Sequence, residues 1–523
     1  MGDSTELSTD VLIVGAGPSG LMLAVCLARL GVDAVIVDGK SGPTRESRAL
    51  AVQARSMELY DQLGLIDRVL AESNPARSAV PGFRDRPFGS VALRGLGAGV
   101  TPYPEITVLE QSRNEAILVD ALAELGRAVR WEHRLASLEE ASGRADAAGR
   151  RHPVTATLDS PDGPVTVRAR YCIGADGAHS IVRGLRDIPF EGITNEHTFY
   201  VVDAHGVTGL VDGAVNIRFN TDDFLLAFPM GPGGHTRLLG IVRDHDLAAD
   251  GTLPESLVRE RAERGFGVRY RDSSWFATYR LHHRLAARFR DGAFFLAGDA
   301  AHIHSPVGAQ GMNTGLQEAH NLACAFADVL VGGMPDARLD RYEVERRPVA
   351  ARLVSTTDRA FATITSDSRF AQFVRGRIVP LLGPIAVRLV PRLIGGERVL
   401  GYLSQTRIHY RMTRASDSGG RGRRGRGGRR DAVVGRRLPW AGGNYGVLRS
   451  MTWQVHGYGV LPAEVERIAG ELGIEAHAFG RDPNRRLRPD RVYLVRRDGF
   501  VAAEASAHAV PGGPRAFREQ LAG

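Results

Sequence analysis

The chain has 523 residues, with 67 Lys+Arg against 59 Asp+Glu, a formal charge of +8 and a pI near 9.7. The excess is local, because residues 407–438 hold eleven Arg and two acids, a local +9 that leaves the other 491 residues at −1. A basic surface spread over the whole fold is excluded, and 43% hydrophobic with 24% charged residues marks a globular chain of about three domains.

Cys26, Cys172 and Cys324 are too few and too scattered for a disulfide framework or a CxxC metal or redox site. The polar residues 1–9 run directly into a strand, which does not fit a signal peptide. No run of about 18 apolar residues occurs; residues 378–394 come closest, and Arg388 and Arg392 interrupt them. These features predict a reduced, cytoplasmic protein of enzyme size with no membrane contact.

Residues 11–14 (VLIV) read as a strand buried on both faces of a parallel sheet. Gly15-Ala16-Gly17-Pro18-Ser19-Gly20 follows, then a helical apolar pattern over 21–30 and a second strand over 34–37 ending at Asp38. This is a dinucleotide fingerprint in its required strand–turn–helix–strand setting. Gly15 permits the tight turn, Gly17 admits a pyrophosphate to the backbone, and Gly20 lets helix and strand pack closely. The helix N-terminus supplies N–H groups for phosphate, and Asp38 is placed to accept from a ribose hydroxyl. NAD and FAD share this cradle, so the unit alone leaves the dinucleotide open.

A strand over 170–173 precedes Gly174-Ala175-Asp176-Gly177, with Ser180 and Arg183 beyond. Another strand, 294–297, precedes Gly298-Asp299-Ala300-Ala301-His302 and the loop from Pro306 to Asn313. A helix is predicted from about Thr314, with Leu316, Ala319, Ala323, Phe326 and Leu330 on its buried face. The glycine-rich loop can approach a flat ring, and the helix N-terminus behind it favours negative charge on a neighbouring ligand. His302 and His304, two apart on a loop with no further ligand cluster, read as loop hydrogen-bonders, and no metal site is expected. No second GxGxxG follows a strand, so a second dinucleotide has no domain of its own.

These motifs, in this order over about 10–350, resemble the class A flavoprotein monooxygenases, the para-hydroxybenzoate hydroxylase-like family, and within it the hydroxylases of aromatic polyketide pathways. The resemblance implies an α/β fold with a Rossmann-like FAD-binding domain over 1–78, 111–185 and 286–348. An interleaved β-sheet substrate domain would occupy 79–110 and 186–285, followed by closing helices over 349–405. It further implies FAD as cofactor and NAD(P)H as transient reductant. Carried onto this sequence, Gly15, Ala16, Gly17, Pro18, Ser19 and Gly20 would hold the pyrophosphate, and Asp38, with Gly39 and Lys40 after it, the adenosine end. Arg48 would contact phosphate or flavin, and Gln111 would face the ribityl chain. Asp176 would serve FAD placement and NAD(P)H use, and Asp299 would bind the ribityl hydroxyls and phosphate. Pro306 would wall the flavin, with Gly308, Ala309, Gln310, Gly311, Met312 and Asn313 lining the loop beside it.

The implied reaction is hydroxylation of a polycyclic, polyketide-like aromatic molecule by molecular oxygen through a flavin C4a-hydroperoxide. No protein side chain is singled out as catalytic. A Baeyer–Villiger insertion or an epoxidation on the same scaffold is the alternative. Val215, Ile217 and Phe219 alternate with Asn216 and Arg218 as in a half-buried sheet, and Phe219, Phe224 and Phe228 are the candidate substrate contacts.

The Arg/Gly-rich stretch within 406–435 has little apolar content to bury and reads as a linker. It contains no aromatic residue between 413 and 432 for base stacking, so neither specific nucleic-acid binding nor a flavin- or RNA-binding scaffold is favoured. Beyond it, a helix near 463–472 and a hairpin turning at Asp498-Gly499 resemble the thioredoxin-like domain of larger family members, here 436–523. That unit contains no cysteine and would be a structural or interface module. A homodimer is left open.

Overall fold

The apolar run ending at Val14 belongs to the strand Thr5–Val14, which lies in the middle of a mixed sheet whose central strands run parallel. In this computed structural model the described residues are 5–44, 49–93, 99–140, 152–221, 223–231, 235–243, 247, 251–304, 310–365, 368–394, 401, 404–412, 433–508 and 513–523. Ala34–Val37 flanks Thr5–Val14 on one side and Val165–Gly174 on the other, both parallel. Val129–Arg130 and Phe294–Leu296 extend the two sides, again parallel. Val11, Leu12 and Ile13 are fully buried, as continuous apolar character requires. The helix Pro18–Arg29 packs on the helices Gln111–Glu124 and Gly311–Leu330, so one core holds all three fingerprint segments.

The second sheet is built on two long antiparallel strands, Phe190–His205 and Asp272–Ala286. Thr236–Arg243, Phe224–Pro229 and Ala214–Phe219 add to it in turn. Ser78–Phe83 then pairs parallel with Ala214–Phe219, which is how the two sheets interleave along the chain. Two local expectations change. Asn216 and Arg218 do not face solvent; both are buried, and Asn216 donates to the Val211 and Ala214 carbonyls. Within the span 79–110 expected for the substrate sheet, the strands after Ser78–Phe83 are only Arg86–Pro87, Val91–Ala92 and Ile106–Val108 among the described residues, with 94–98 outside them. Pro102 and Pro104 offer no N–H to a ladder in the intervening stretch.

The helix Asp340–Thr365 passes through Pro348 without breaking. After residue 433 the chain forms a separate four-stranded sheet. In it Gln454–Tyr458 pairs parallel with Glu475–Phe479 across the helix Pro462–Leu472, and antiparallel with Arg491–Val495. Val501–Ser506 closes the other edge. This unit docks through buried charge. Arg496 pairs with Glu345 at 2.5 Å and with Asp498 at 2.7 Å, and Asn321 donates to both carboxylates. The Trp453 indole N–H donates to Asp328 at 2.9 Å. Arg55 joins the contact from the other side, pairing with Glu58 and donating to the Asp498 carbonyl.

Candidate active site

The C-terminal ends of Thr5–Val14, Val165–Gly174 and Phe294–Leu296 open into a cleft of about 890 Å³, roofed by the second sheet. Gly15 sits at φ +104°, and a Cβ there would collide with the Ala175 carbonyl. Gly20 meets the Gly15 carbonyl just as closely, so it seats helix against strand. Gly17 differs, because its missing Cβ faces open space at the start of the helix Pro18–Arg29. The three glycines thus divide turn, approach and packing, and the open side of Gly17 at a helix N-terminus suits a pyrophosphate.

Asp38 closes this end. Its carboxylate accepts from Ala16 N at 2.7 Å and Lys40 N at 2.8 Å, with Lys40 Nζ 3.7 Å away. Gly39 and Lys40 line the cleft; Ala16 and Gly20 lie behind it. Gln111 is the first residue of its helix, bonds back to Ala49 at 3.1 Å and donates to Glu115 at 2.9 Å. Asp176 accepts from Ile181 N at 2.6 Å and Val182 N at 3.2 Å, capping a short helix, and burial raises its pKa against those bonds. Arg183 links the Asp176 loop to the Asp299 turn through the Ala178 and Ala300 carbonyls, both at 2.9 Å.

Asp299 projects from a tight turn, Gly298–Ala300, whose support is a buried ionic cluster. Glu318, fully buried, accepts from Gly298 N at 3.0 Å and bonds His302 Nε2 at 2.9 Å, with Arg346 at 4.0 Å. Arg346 also donates to the Thr314 carbonyl, so one cluster holds both the turn and the start of the next helix. Burial pushes the His302 imidazole down, but the Glu318 carboxylate outweighs it and the net shift is upward. Glu318 is correspondingly held below the usual carboxylate range. Glu318 and Arg346 are site-supporting residues that motif reading missed; the signal was an acid off the apolar stripe of a helix that is buried nearly all round.

Gln310, Gly311 and Met312 line the cleft, as do Gly15, Gly17, Pro18, Ser19, Asp38, Gln111, Asp176 and Asp299. The helix begins at Gly311, three residues before the predicted start. The Asn313 side chain points elsewhere: it accepts from Gln53 N and Ser56 Oγ and donates to the Ala51 carbonyl. Arg48, Pro306, Gly308 and Ala309 lie outside the described residues. On the sheet side Phe228 lines the cleft with Leu226, Leu239 and Tyr279. Phe219 and Phe224 instead pack in an aromatic cluster with Phe199 and Ile241, and Tyr279 stacks on Phe199 at 5.7 Å. Among the described residues no cluster of three or more His, Cys, Asp or Glu could hold a metal ion.

The sequence profile of a family described as "FAD binding domain" matches residues 8–357. The 6-methylpretetramide 4-monooxygenase of Streptomyces rimosus is 34% identical over 415 residues, covering 77% of this chain and 70% of that protein. The rifampicin monooxygenase of Rhodococcus hoagii is 32% identical over 403 residues, covering 76% of this chain and 77% of its own. Among solved structures, OxyS anhydrotetracycline hydroxylase from Streptomyces rimosus superposes with a TM-score of 0.76 at 26% identity, covering 99% of this chain and 100% of that one. CabE, an aromatic hydroxylase from angucycline biosynthesis, gives a TM-score of 0.72 at 25% identity, covering 95% and 96%.

Proposed function

Because the chain belongs to the FAD-binding family of flavin monooxygenases, we propose that this FAD-dependent enzyme hydroxylates a flat, polycyclic aromatic substrate of the polyketide kind. The observation that carries the substrate class is the apolar wall of Leu226, Phe228, Leu239 and Tyr279 in the same cleft as the dinucleotide cradle. A flat multi-ring molecule buries its faces on such a wall without leaving polar groups unpaired.

The residues fit FAD: the open side of Gly17, the Asp38 carboxylate and the Asp299 turn line one continuous cleft. Bound there, FAD supplies hydride acceptance from NAD(P)H and the activation of oxygen. Gly15, Gly17 and the N–H groups following Pro18 hold the pyrophosphate, and Asp38 accepts from the adenosine ribose. Gln111 and Asp299 face the ribityl chain. Gln310, Gly311 and Met312 line the cleft at a helix N-terminus, whose partial positive charge would favour negative charge on an isoalloxazine held there. The second sheet covers the cleft and limits water at the reacting carbon. The unit after residue 433, with no cysteine, is a thioredoxin-like docking module without redox chemistry of its own. The cytoplasm is the compartment that fits three free, buried cysteines.

Substrate-dependent NAD(P)H oxidation against a panel of polycyclic phenols and quinones, with mass analysis of products, tests this reading. The expected product gains one oxygen, and NMR assigns it to a ring hydroxyl. Oxidation of NAD(P)H with every compound returned unchanged would reject the substrate class.

A further inference from the structure

Among the described residues one helix is long and apolar enough to cross a membrane by length and composition, Arg369–Leu389, and it lies almost wholly on the surface. It runs through Arg369–Phe373, a π turn at Val374–Ile378 and Val379–Ile394. Its inner side is fixed to the protein. Arg375 Nε donates to the Thr221 carbonyl at 2.8 Å, and Gly383 presses so closely on the Phe88 ring that a Cβ would collide with it.

The outer side carries Phe370 at 76% exposure and Leu381 at 73%, with Phe373, Leu382, Ile385 and Leu389 between 45% and 57%. From Phe370 to Leu389 this strip spans about 28 Å. A continuous apolar strip of that extent marks a contact surface. Charge decides among occupants. Residues 368–396 contain five Arg and no Asp or Glu, and the exposed Arg377 and Arg388 flank the strip. A two-fold contact with a second copy would set these arginines against one another, with no carboxylate in the segment to answer them. An anionic lipid surface accommodates both halves. The apolar side chains enter the headgroup–acyl boundary, and the arginines reach lipid phosphates.

We propose that the helix Arg369–Leu389 seats the enzyme on anionic bilayers, lying in the plane of the interface and not crossing it. This departs from the expected absence of membrane contact, which rested on the arginines that break the apolar run. On an interfacial helix those arginines form its polar edge.

The test is co-sedimentation of the full-length, FAD-loaded protein with phosphatidylglycerol-containing and with pure phosphatidylcholine vesicles. The Arg-rich tract is itself cationic, so a deletion of residues 419–430 is run in parallel. The wild type and the deletion should both pellet with the anionic vesicles, about tenfold or more above the neutral ones. Leu381→Glu with Ile385→Glu should lower that binding about tenfold at unchanged FAD content. Arg377→Gln with Arg388→Gln should weaken it and flatten its salt dependence, and this pair alone decides the matter if the acidic variant does not fold. Three results overturn the proposal: no binding by the wild type, equal binding to both vesicles, or binding abolished by the tract deletion and untouched by the helix variants. Sedimentation velocity adds a fourth, a wild-type dimer that the acidic variant splits, since a second copy would then own the face.

Discussion

Replacing Glu318 by Gln preserves volume and an acceptor for the Gly298 N–H, but removes the charge that answers His302 at 2.9 Å and Arg346 at 4.0 Å. All three side chains are at most 1% exposed, so solvent cannot compensate. Breaking a buried pair by removing one partner costs about 3–5 kcal/mol. The Gln retains part of the hydrogen bonding, which puts the loss near the lower end, about 3 kcal/mol. If 523 residues unfold as one unit, an unfolding entropy of about 2 cal/mol/K per residue converts this to roughly 3 °C in Tm. The pH dependence is more specific. His302 has a folded pKa above its unfolded value, so its contribution is complete below the unfolded pKa of about 6.5 and fades as pH rises through the folded one. Glu318, shifted down, contributes above its unfolded pKa and loses that contribution as pH falls through the folded one. Thermal unfolding of wild type and Glu318→Gln from about pH 5.5 to 9 should therefore show a gap that narrows toward the alkaline end. FAD retention should fall as well, because the cluster holds the turn that presents Asp299. A Tm gap within 1 °C of zero, or one independent of pH, would refute the charged reading of the cluster.

Gly17→Val should leave the fold intact, since nothing lies within 4 Å of the missing Cβ, yet weaken FAD binding at least about tenfold, or ~1.4 kcal/mol, by flavin fluorescence titration. Gly20→Ala should instead lower stability by about 1–3 kcal/mol or more in urea unfolding, because its Cβ meets the Gly15 carbonyl. Asp299→Ala should reduce the FAD retained through gel filtration, and unchanged flavin content would remove its assigned role. Deleting residues 419–430 should leave FAD content and turnover largely intact. Lost turnover with FAD retained would give the tract a further part.

The cradle was legible because its constraints are local. Gly15, Gly17 and Gly20 each answer one steric demand of a strand–turn–helix unit, and fixed spacing encodes all three. Asp38 follows from the length of one helix and one strand. What supports the site was not legible, because it is made by tertiary convergence. Glu318 meets Gly298 across 20 residues of sequence, and Arg346 reaches Glu318 and the Thr314 carbonyl from another helix. A buried acid in a helix that is buried nearly all round signals such a partner without naming it. The aromatic residues show the opposite error. Phe219, Phe224 and Phe228 share one apolar neighbourhood in sequence, but strand pairing sets Phe219 against Phe224 and directs only Phe228 into the cleft.

Asp498 shows how a local signal can conceal a distant role. Next to Gly499 it reads as turn chemistry, and Gly499 does take φ +75° between Arg491–Val495 and Val501–Ser506. A turn needs only a small polar residue, and exposed turns tolerate exchange. This one is fully buried: the Asp498 carboxylate holds Arg496 and accepts from Asn321 and Phe500 N, while its carbonyl accepts from Arg55. Arg496 in turn reaches Glu345, on the helix that also supplies Arg346 to the Asp299 support. The last sheet is therefore coupled to the Asp299 turn through one helix and two adjacent side chains. Asp498→Asn keeps the turn and its hydrogen-bond geometry while leaving Arg496 with Glu345 alone. It should loosen the C-terminal unit before it affects the FAD cradle. Limited proteolysis would show cleavage between the two units in the variant, with flavin still bound to the larger fragment. Simultaneous loss of flavin and of the C-terminal unit would mean that the helix carrying Glu345 and Arg346 transmits the disturbance directly.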